Sequence, residues 1–470
     1  MTLLRKNVYT EITANKLCVG CGLCAALCPG QNLKIEFNDY GEYAAAQTSA
    51  ECPDTCSACL KVCPFSSQAE NEDVLGQKLF AGVPGIKYTA QTGYYLDSFV
   101  GYSTVNGHRE NGASGGLATF TLESLLEQKL VDEVLCVCPV KEPAKLFKFV
   151  RCSSAEKVRA CSRSCYYPVE ASEVIGHILQ NEGRYAVIGL PCLCKAIRSA
   201  MQLNPNLRHR IKFVLGLVCG QAKSKFFVES ICAMAGGEPH FLREVACRVK
   251  EPNRPSSDFG MKMVWADKEN PVHEAVIFWT DGINRMWCDH YFTPNACNFC
   301  DDVFAELADA SFMDAWLPGY SKDPKGHNIV IVRNSVLADI FARAADSGAI
   351  KKTNLNIKQV IRSQQGAVDL KRKCLLERCR LARIKGQAIP QKRFWLCKPG
   401  LSPLEKLIVK LTWQISQESP QKWLESDKNL QRFEKEFAPL ASKLRKLRAI
   451  DRYIQLPFAG FARIRGLLRC

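Results

Sequence analysis

Two cysteine runs near the start constrain this chain more than any other feature. Cys18, Cys21, Cys24 and Cys28-Pro29 follow C-x2-C-x2-C-x3-C-P, and Cys52, Cys56, Cys59 and Cys63-Pro64 follow C-x3-C-x2-C-x3-C-P. A 4Fe–4S cubane has four iron corners, each taking a thiolate. Three closely spaced Cys in a tight loop wrap three corners, and a more distant Cys meets the fourth. Gly20 and Gly22 let the backbone pass close to the sulfurs. Zinc is the competing reading. It usually pairs two C-x2-C knuckles in one four-ligand site, whereas here two complete sets of four each end in Cys-Pro.

The runs resemble those of bacterial two-cluster ferredoxins, in which the fourth Cys of each run serves the other cluster. Cys18, Cys21, Cys24 and Cys63 are then expected at one 4Fe–4S cluster. Cys52, Cys56, Cys59 and Cys28 are expected at the other. The x3 gap between Cys52 and Cys56 departs from the ferredoxin pattern.

The whole chain has 470 residues and 25 Cys. A secreted disulfide scaffold would be short and led by a signal peptide. Residues 1–18 mix charge and polarity without an apolar h-region, so no signal peptide is expected. No run reaches about 18 uninterrupted apolar residues, so no transmembrane helix is expected either. These features point to a reducing cytoplasm, with many of the thiols on metal. Hydrophobic residues at 47% and charged residues at 23% exclude a disordered or fibrous chain.

Three regions follow from the pattern: a ferredoxin-like α+β module at 1–70, an α/β core at 91–340 and a helical, basic region at 341–470. In the core, Leu117–Gln128 and Leu193–Met201 read as helices. Glu133–Val137, Tyr185–Leu190 and Ile211–Val218 read as strands. Strand, helix, strand at this spacing predicts a βαβ unit in an open, largely parallel sheet. Cys192 follows one strand in Gly189-Leu190-Pro191-Cys192, and Cys219 follows the next in Val218-Cys219-Gly220. Ligands sit at that carboxyl edge in open α/β sheets. Cys297 and Cys300 form a C-x2-C pair that is able to complete a third site. The bland alternative is that Cys192 and Cys219 are small buried residues. Cys136 and Cys138 share one strand face and read as structural thiols. Cys152, Cys161 and Cys165 lie near Tyr167-Pro168 and are candidates to line a flavin pocket there.

The core resembles the beta subunit of the coenzyme F420 hydrogenase/dehydrogenase family. The resemblance runs through Gly112-Ala113-Ser114-Gly115-Gly116-Leu117, Tyr167-Pro168, Gly189-Leu190-Pro191-Cys192, Gly216-Leu217-Val218-Cys219 and Cys297-Asn298-Phe299-Cys300-Asp301-Asp302. It continues through Glu306-Leu307-Ala308-Asp309 and Ile329-Val330-Ile331-Val332-Arg333. It implies FAD in the core, with Ser114, Gly115, Gly116, Tyr167 and Pro168 as contacts. It also implies a 4Fe–4S cluster on Cys192, Cys219, Cys297 and Cys300. A flavin suits a chain rich in clusters, because it takes electrons singly and delivers them in pairs. The competing reading of Gly112–Gly116 is a tight turn with Ser114 capping the next helix.

The expected function is therefore an iron–sulfur flavoprotein oxidoreductase. It would take electrons from a redox partner such as ferredoxin and pass them to an organic two-electron acceptor. The family implies a deazaflavin coenzyme as acceptor, and relatives act on chlorophyll-type pigments or in polysaccharide pathways. The alternative is a non-catalytic electron-transfer subunit. The net charge of +16 is concentrated at one end: residues 351–470 carry +19 and residues 1–350 carry −3. Such an end reads as a solvated face, a dock for an acidic carrier, a site for an anionic substrate, or a contact with an anionic membrane through 456–468. No motif accompanies the charge to suggest nucleic acid.

Overall fold

The computed structural model describes residues 6–48, 52–53, 56–142, 145–266, 271–397 and 400–455. An eight-stranded sheet forms its centre. In chain order the strands are β1 (Asp97–Ser103), β2 (Glu133–Glu142), β3 (Lys145–Cys152), β4 (Tyr185–Gly189), β5 (Ile211–Leu217), β6 (Ala310–Asp314), β7 (Asn328–Val332) and β8 (Ile350–Asn354). Across the sheet they run β8-β1-β7-β6-β5-β4-β2-β3.

Only β2/β4, β4/β5 and β5/β6 pair in parallel. The other four pairings are antiparallel. The expected largely parallel sheet is therefore a mixed sheet with a parallel centre. Parallel neighbours need long crossovers, and antiparallel neighbours need only short returns. Helix α3 (Pro191–Leu203) supplies one crossover between β4 and β5. β3 pairs back along β2, and β7 returns along β6.

Both faces of the sheet are covered at its centre, which explains the fully buried runs of β4 and β7. Along β4, Tyr185 and Val187 pack on one face with α3 and the N-terminal segment. Ala186 and Ile188 pack on the other face with helices α1 (Leu117–Glu127) and α4 (Ser335–Asp346). The expected helical reading from 341 onward meets an exception in β8. Its Lys351 and Lys352 suit an edge strand, where charge discourages pairing with other chains. A three-stranded antiparallel sheet of Leu242–Val249, Gly260–Ala266 and Val272–Phe278 was not expected at all.

Near the N-terminus, a hairpin of Leu33–Phe37 and Tyr43–Gln47 packs beside short helices at Leu23–Ala26 and Ala58–Val62. Gly20 and Gly22 have φ of 64° and 86°. A Cβ on Gly20 would fall 2.4 Å from the Cβ of Tyr43, and one on Gly22 would fall 2.6 Å from the Ser172 nitrogen. The loop holding Cys18 and Cys21 is thus pressed between the hairpin and the core.

The chain described beyond 400 is two helices, α5 (Pro403–Glu425) and α6 (Leu430–Gln455). Ser402 and Glu405 form a capping box at the start of α5, which satisfies two otherwise unpaired backbone donors. Trp413 and Trp423 on α5 are fully buried. Trp423 stacks edge-on against Phe292 and Phe433 and donates its indole N–H to Glu229 at 3.4 Å. These helices are therefore bolted to the core by aromatic burial. The stretch 456–468, expected at an anionic membrane, lies outside the described residues. Among the described residues no helix is long and apolar enough to cross a membrane.

Trp423→Ala should cost about 3–5 kcal/mol, the usual range for emptying a buried Trp site. Chemical denaturation of the full chain measures the loss, and a change below about 1 kcal/mol would mean that α5 does not depend on this anchor.

Candidate functional site

The parallel strands β2, β4, β5 and β6 end along one edge of the sheet. A cavity of about 2260 Å³ opens there. Ile188, Gly189 and Leu190 line it from β4, and Leu217, Val218 and Cys219 line it from β5. It also reaches Cys18, Cys21 and Cys192, so N-terminal and core cysteines face a single space.

Gly112, Ala113, Ser114 and Gly116 border the cavity, as do Tyr167 and Pro168. Gly115 instead faces the sheet. A Cβ there would meet the Gly101 carbonyl oxygen at 2.6 Å and the Asn328 nitrogen at 2.7 Å. Its need is close packing of the loop on β1 and β7. Ser114 does not cap α1. It donates its hydroxyl to the His327 carbonyl at 2.7 Å, while Asn328 accepts from the Leu117 N–H at 3.0 Å. The loop is thus fixed before anything binds to it.

Two cations reinforce the loop. Arg248 is buried, donates to the Ala113 carbonyl at 3.2 Å and pairs with Asp314 at 2.7 Å. Its guanidinium lies 4.0 Å from the Phe259 ring centre, a cation–π contact. Lys250 donates to the Ser114 carbonyl at 2.7 Å and to the Arg109 carbonyl. Burial first, and then the nearby Arg248 and Arg109 charges, push the Lys250 amine down to about 7. Lys223 also lines the cavity. It donates to the Tyr291 carbonyl at 2.8 Å and to Thr293 at 3.0 Å, and burial pushes it down to about 7 as well.

The cysteines assemble into three groups. In the first, burial pushes Cys21 up to about 12 and raises Cys18, Cys24 and Cys63. The charges of Cys21, Cys18, Cys63 and, last, Cys59 raise Cys24 further, so Cys24 lies among all four. In the second, Cys28, Cys52, Cys56 and Cys59 line one small cavity. In the third, burial raises Cys192, and the charges of Cys300, Cys219, Cys21 and Cys297 add to it. Three distant stretches of chain thus bring Cys192, Cys219, Cys297 and Cys300 to the carboxyl edge, within electrostatic reach of Cys21.

Several of these sulfurs already accept N–H bonds. Ala45 and Gly20 donate to Cys18 at 3.4 Å, Asn32 to Cys28 at 3.2 Å and Ala222 to Cys297 at 3.4 Å. Lys371 donates to Cys300 at 3.2 Å and to the Asp302 carbonyl at 2.7 Å. Burial alone would discharge Lys371, but the Cys300, Cys219 and Cys297 charges outweigh it and hold the amine well above its ordinary value. Such donors orient and stabilise thiolate ligands. The cysteines and their donors fit iron–sulfur binding.

Sequence reasoning missed Lys371, Arg248, Lys250 and Lys223. Nothing local marks them, because each acquires its role from a partner far away in the chain. Cys165 lines the cavity and donates to the Tyr167 carbonyl at 3.4 Å. His108 bonds Ser103 at 2.9 Å and Glu123 at 3.0 Å.

A redox protein built on a mixed α/β sheet with a cysteine-lined edge is the class that this fold and site define. The chain matches the family of the coenzyme F420 hydrogenase/dehydrogenase beta subunit, in its N-terminal part over residues 98–176 and in its C-terminal part over residues 182–358. It belongs to that family. An uncharacterized protein of Methanocaldococcus jannaschii is 21% identical over 390 residues, covering 78% of this chain and 97% of the relative. The F420-reducing [NiFe] hydrogenase complex from Methanosarcina barkeri, solved as a xenon derivative, contains a chain that aligns with a TM-score of 0.47 and 17% identity. That alignment covers 66% of this chain and 99% of the other.

The Lys250 amine gives a pH prediction. Its folded value of about 7 lies below its ordinary 10.5, so between those limits the unfolded chain binds more protons. Stability should therefore rise with pH across that window, by at most about 1.4 kcal/mol per pH unit. Below about pH 7 the dependence should vanish. Denaturation at pH 7 and pH 9 should show a smaller gain in Lys250→Met than in the unchanged chain. An equal gain in both would show that Lys250 is already charged at pH 9.

Proposed function

We propose that the chain is an FAD- and iron–sulfur-dependent oxidoreductase, in which residues 1–70 form a ferredoxin-like module. One 4Fe–4S cluster would be held by Cys18, Cys21, Cys24 and Cys63, a second by Cys52, Cys56, Cys59 and Cys28, and a third by Cys192, Cys219, Cys297 and Cys300. FAD would lie against the Gly112–Gly116 loop and Tyr167-Pro168. When bound, these groups supply single-electron relay from a ferredoxin-type donor and two-electron delivery to an organic acceptor, of which a deazaflavin is the family's example.

The observation that carries this reading is the meeting of Cys21 with the Cys192 group across one cavity. Electron relay needs short gaps, and Cys18 and Cys21 border the same cavity as Cys192 and Cys219. The chain's own residues prepare the site. Ser114, Arg248 and Lys250 fix the loop. Lys371 offers a charged donor to Cys300.

Anaerobic purification with iron, sulfide and flavin quantified tests the assignment. About twelve irons and one flavin per chain are expected, from four Cys per cluster. Cys300→Ser should lose about four irons and keep the electron paramagnetic resonance signals of the other clusters. Unchanged iron content would remove the core assignment. Turnover by the isolated chain with an artificial donor separates an enzyme from a non-catalytic electron-transfer subunit.

Lys371→Met should lower the reduction potential of the core cluster. A lost charge-assisted hydrogen bond of about 1.5 kcal/mol corresponds to roughly 60 mV for one electron. Redox titration followed by paramagnetic resonance reads this shift, and an unmoved potential would show that the Lys371 contact is structural only.

A further inference from the structure

Twelve cysteines are absorbed by the function proposed above, and a separate cluster stands outside them. Cys136 lies within β2, Cys152 ends β3, and Cys161 follows helix α2 (Ala155–Ala160). Their sulfurs all lie within 4.8 Å of one another, the only such group of three possible metal-ligating side chains among the described residues. Cys136 to Cys152 and Cys152 to Cys161 each measure 3.8 Å. A tetrahedral ion with metal–sulfur bonds of about 2.3 Å has a sulfur–sulfur edge of about 3.8 Å. The spacing therefore matches one ion. Among the described residues, none of the twelve other cysteines forms so tight a group, as thiols set around the four corners of a larger cluster would not.

We propose that Cys136, Cys152 and Cys161 bind a single thiophilic divalent cation of the zinc or iron(II) class, leaving the fourth tetrahedral position to a ligand from solution. A three-thiolate donor set selects zinc or iron over harder ions. The three sulfurs come from separate elements, brought together by the β2/β3 hairpin, which pairs Val134 with Cys152 and Cys136 with Val150. Binding displaces the thiol protons.

The site also has a structural task. Residues 161–168 run as an irregular segment along the cavity wall, ending at Tyr167-Pro168. A metal at Cys161 would tie the start of this segment to the sheet. The proposal stands on sulfur geometry and does not depend on which cofactor the cavity takes.

The test uses the full chain, produced anaerobically with Co2+ supplied in place of added zinc and with iron and sulfide measured in parallel. About one cobalt per chain is expected, with the sulfur-to-cobalt charge-transfer and visible bands of a tetrahedral thiolate site. Cys152→Ser and Cys161→Ser should each reduce cobalt at least tenfold while leaving iron and sulfide unchanged. Cys161 is only half-buried, so its variant serves if Cys152→Ser fails to fold. Without cobalt, a mononuclear ferric resonance after mild oxidation identifies iron, and one equivalent of silent metal identifies zinc. Cobalt unchanged in both variants overturns the proposal, as does a disulfide joining Cys152 to Cys136 or Cys161 in the anaerobic protein.

Discussion

The site rests on a buried network of charges centred on Glu306 and Arg393. Arg393 donates to Glu306 at 2.8 and 3.0 Å, and also lies near Glu72, Asp73 and Asp301. Arg372 adds a bond to Glu306 at 2.9 Å, and Lys195 reaches Glu72 at 3.3 Å. Taking such charges out of water is costly, so their value lies in geometry more than in net stability. Removing one partner of such a pair typically costs about 3–5 kcal/mol, because its neighbours stay buried and unpaired. The network therefore ties together four stretches of chain: 72–73, 195, 301–306 and 372–393.

That arrangement aims the metal-binding candidates. Cys300 immediately precedes Asp301, whose carboxyl accepts the Arg393 backbone N–H at 3.0 Å and is held well below its usual range. Burial comes first among its influences and would raise it, but Lys392 and Arg393 prevail. Asp302, next to it, is pushed up to about 7 by burial and by Glu306 and Glu72. One face of this turn is thus locked into ion pairs while Cys300 is left to face Lys371 and the other thiols. The charge network and the sulfur cluster are two sides of one turn.

The parts legible in the sequence were those encoded by short spacing. The cysteine runs, the strands at 185–189 and 211–217 and helix α1 all depend on contacts between near neighbours in the chain. The mixed character of the sheet was not legible, because β1, β7 and β8 join it through pairings between strands far apart in the chain, such as Gly101 with Asn328 and with Lys352. The antiparallel sheet at 242–278 lacked the clean alternation that marks a half-buried strand, and the exposure along Val272–Phe278 leaves little apolar signal. Cys136 was visible as a strand residue, but its meeting with Cys152 and Cys161 depends on hairpin register. A one-residue slip would turn Cys152 to the opposite face.

The basic C-terminal end shows how far a charge count falls short of a surface. Its excess of +19 over residues 351–470 suggested a field open to solvent. Yet Lys371, Arg372, Arg378 and Arg393 are buried. Arg378 donates to the Asn298 and Leu370 carbonyls at 3.2 and 2.9 Å, and Arg448 on α6 pairs with buried Asp289. These cations answer acids and thiols of the core, whose charges are summed elsewhere in the sequence. Lys371, for one, donates to the Cys300 sulfur at 3.2 Å, a partner that a formal charge count leaves out. The charge left exposed on α5 and α6, Lys406 and Lys410 among it, is a smaller share of that count.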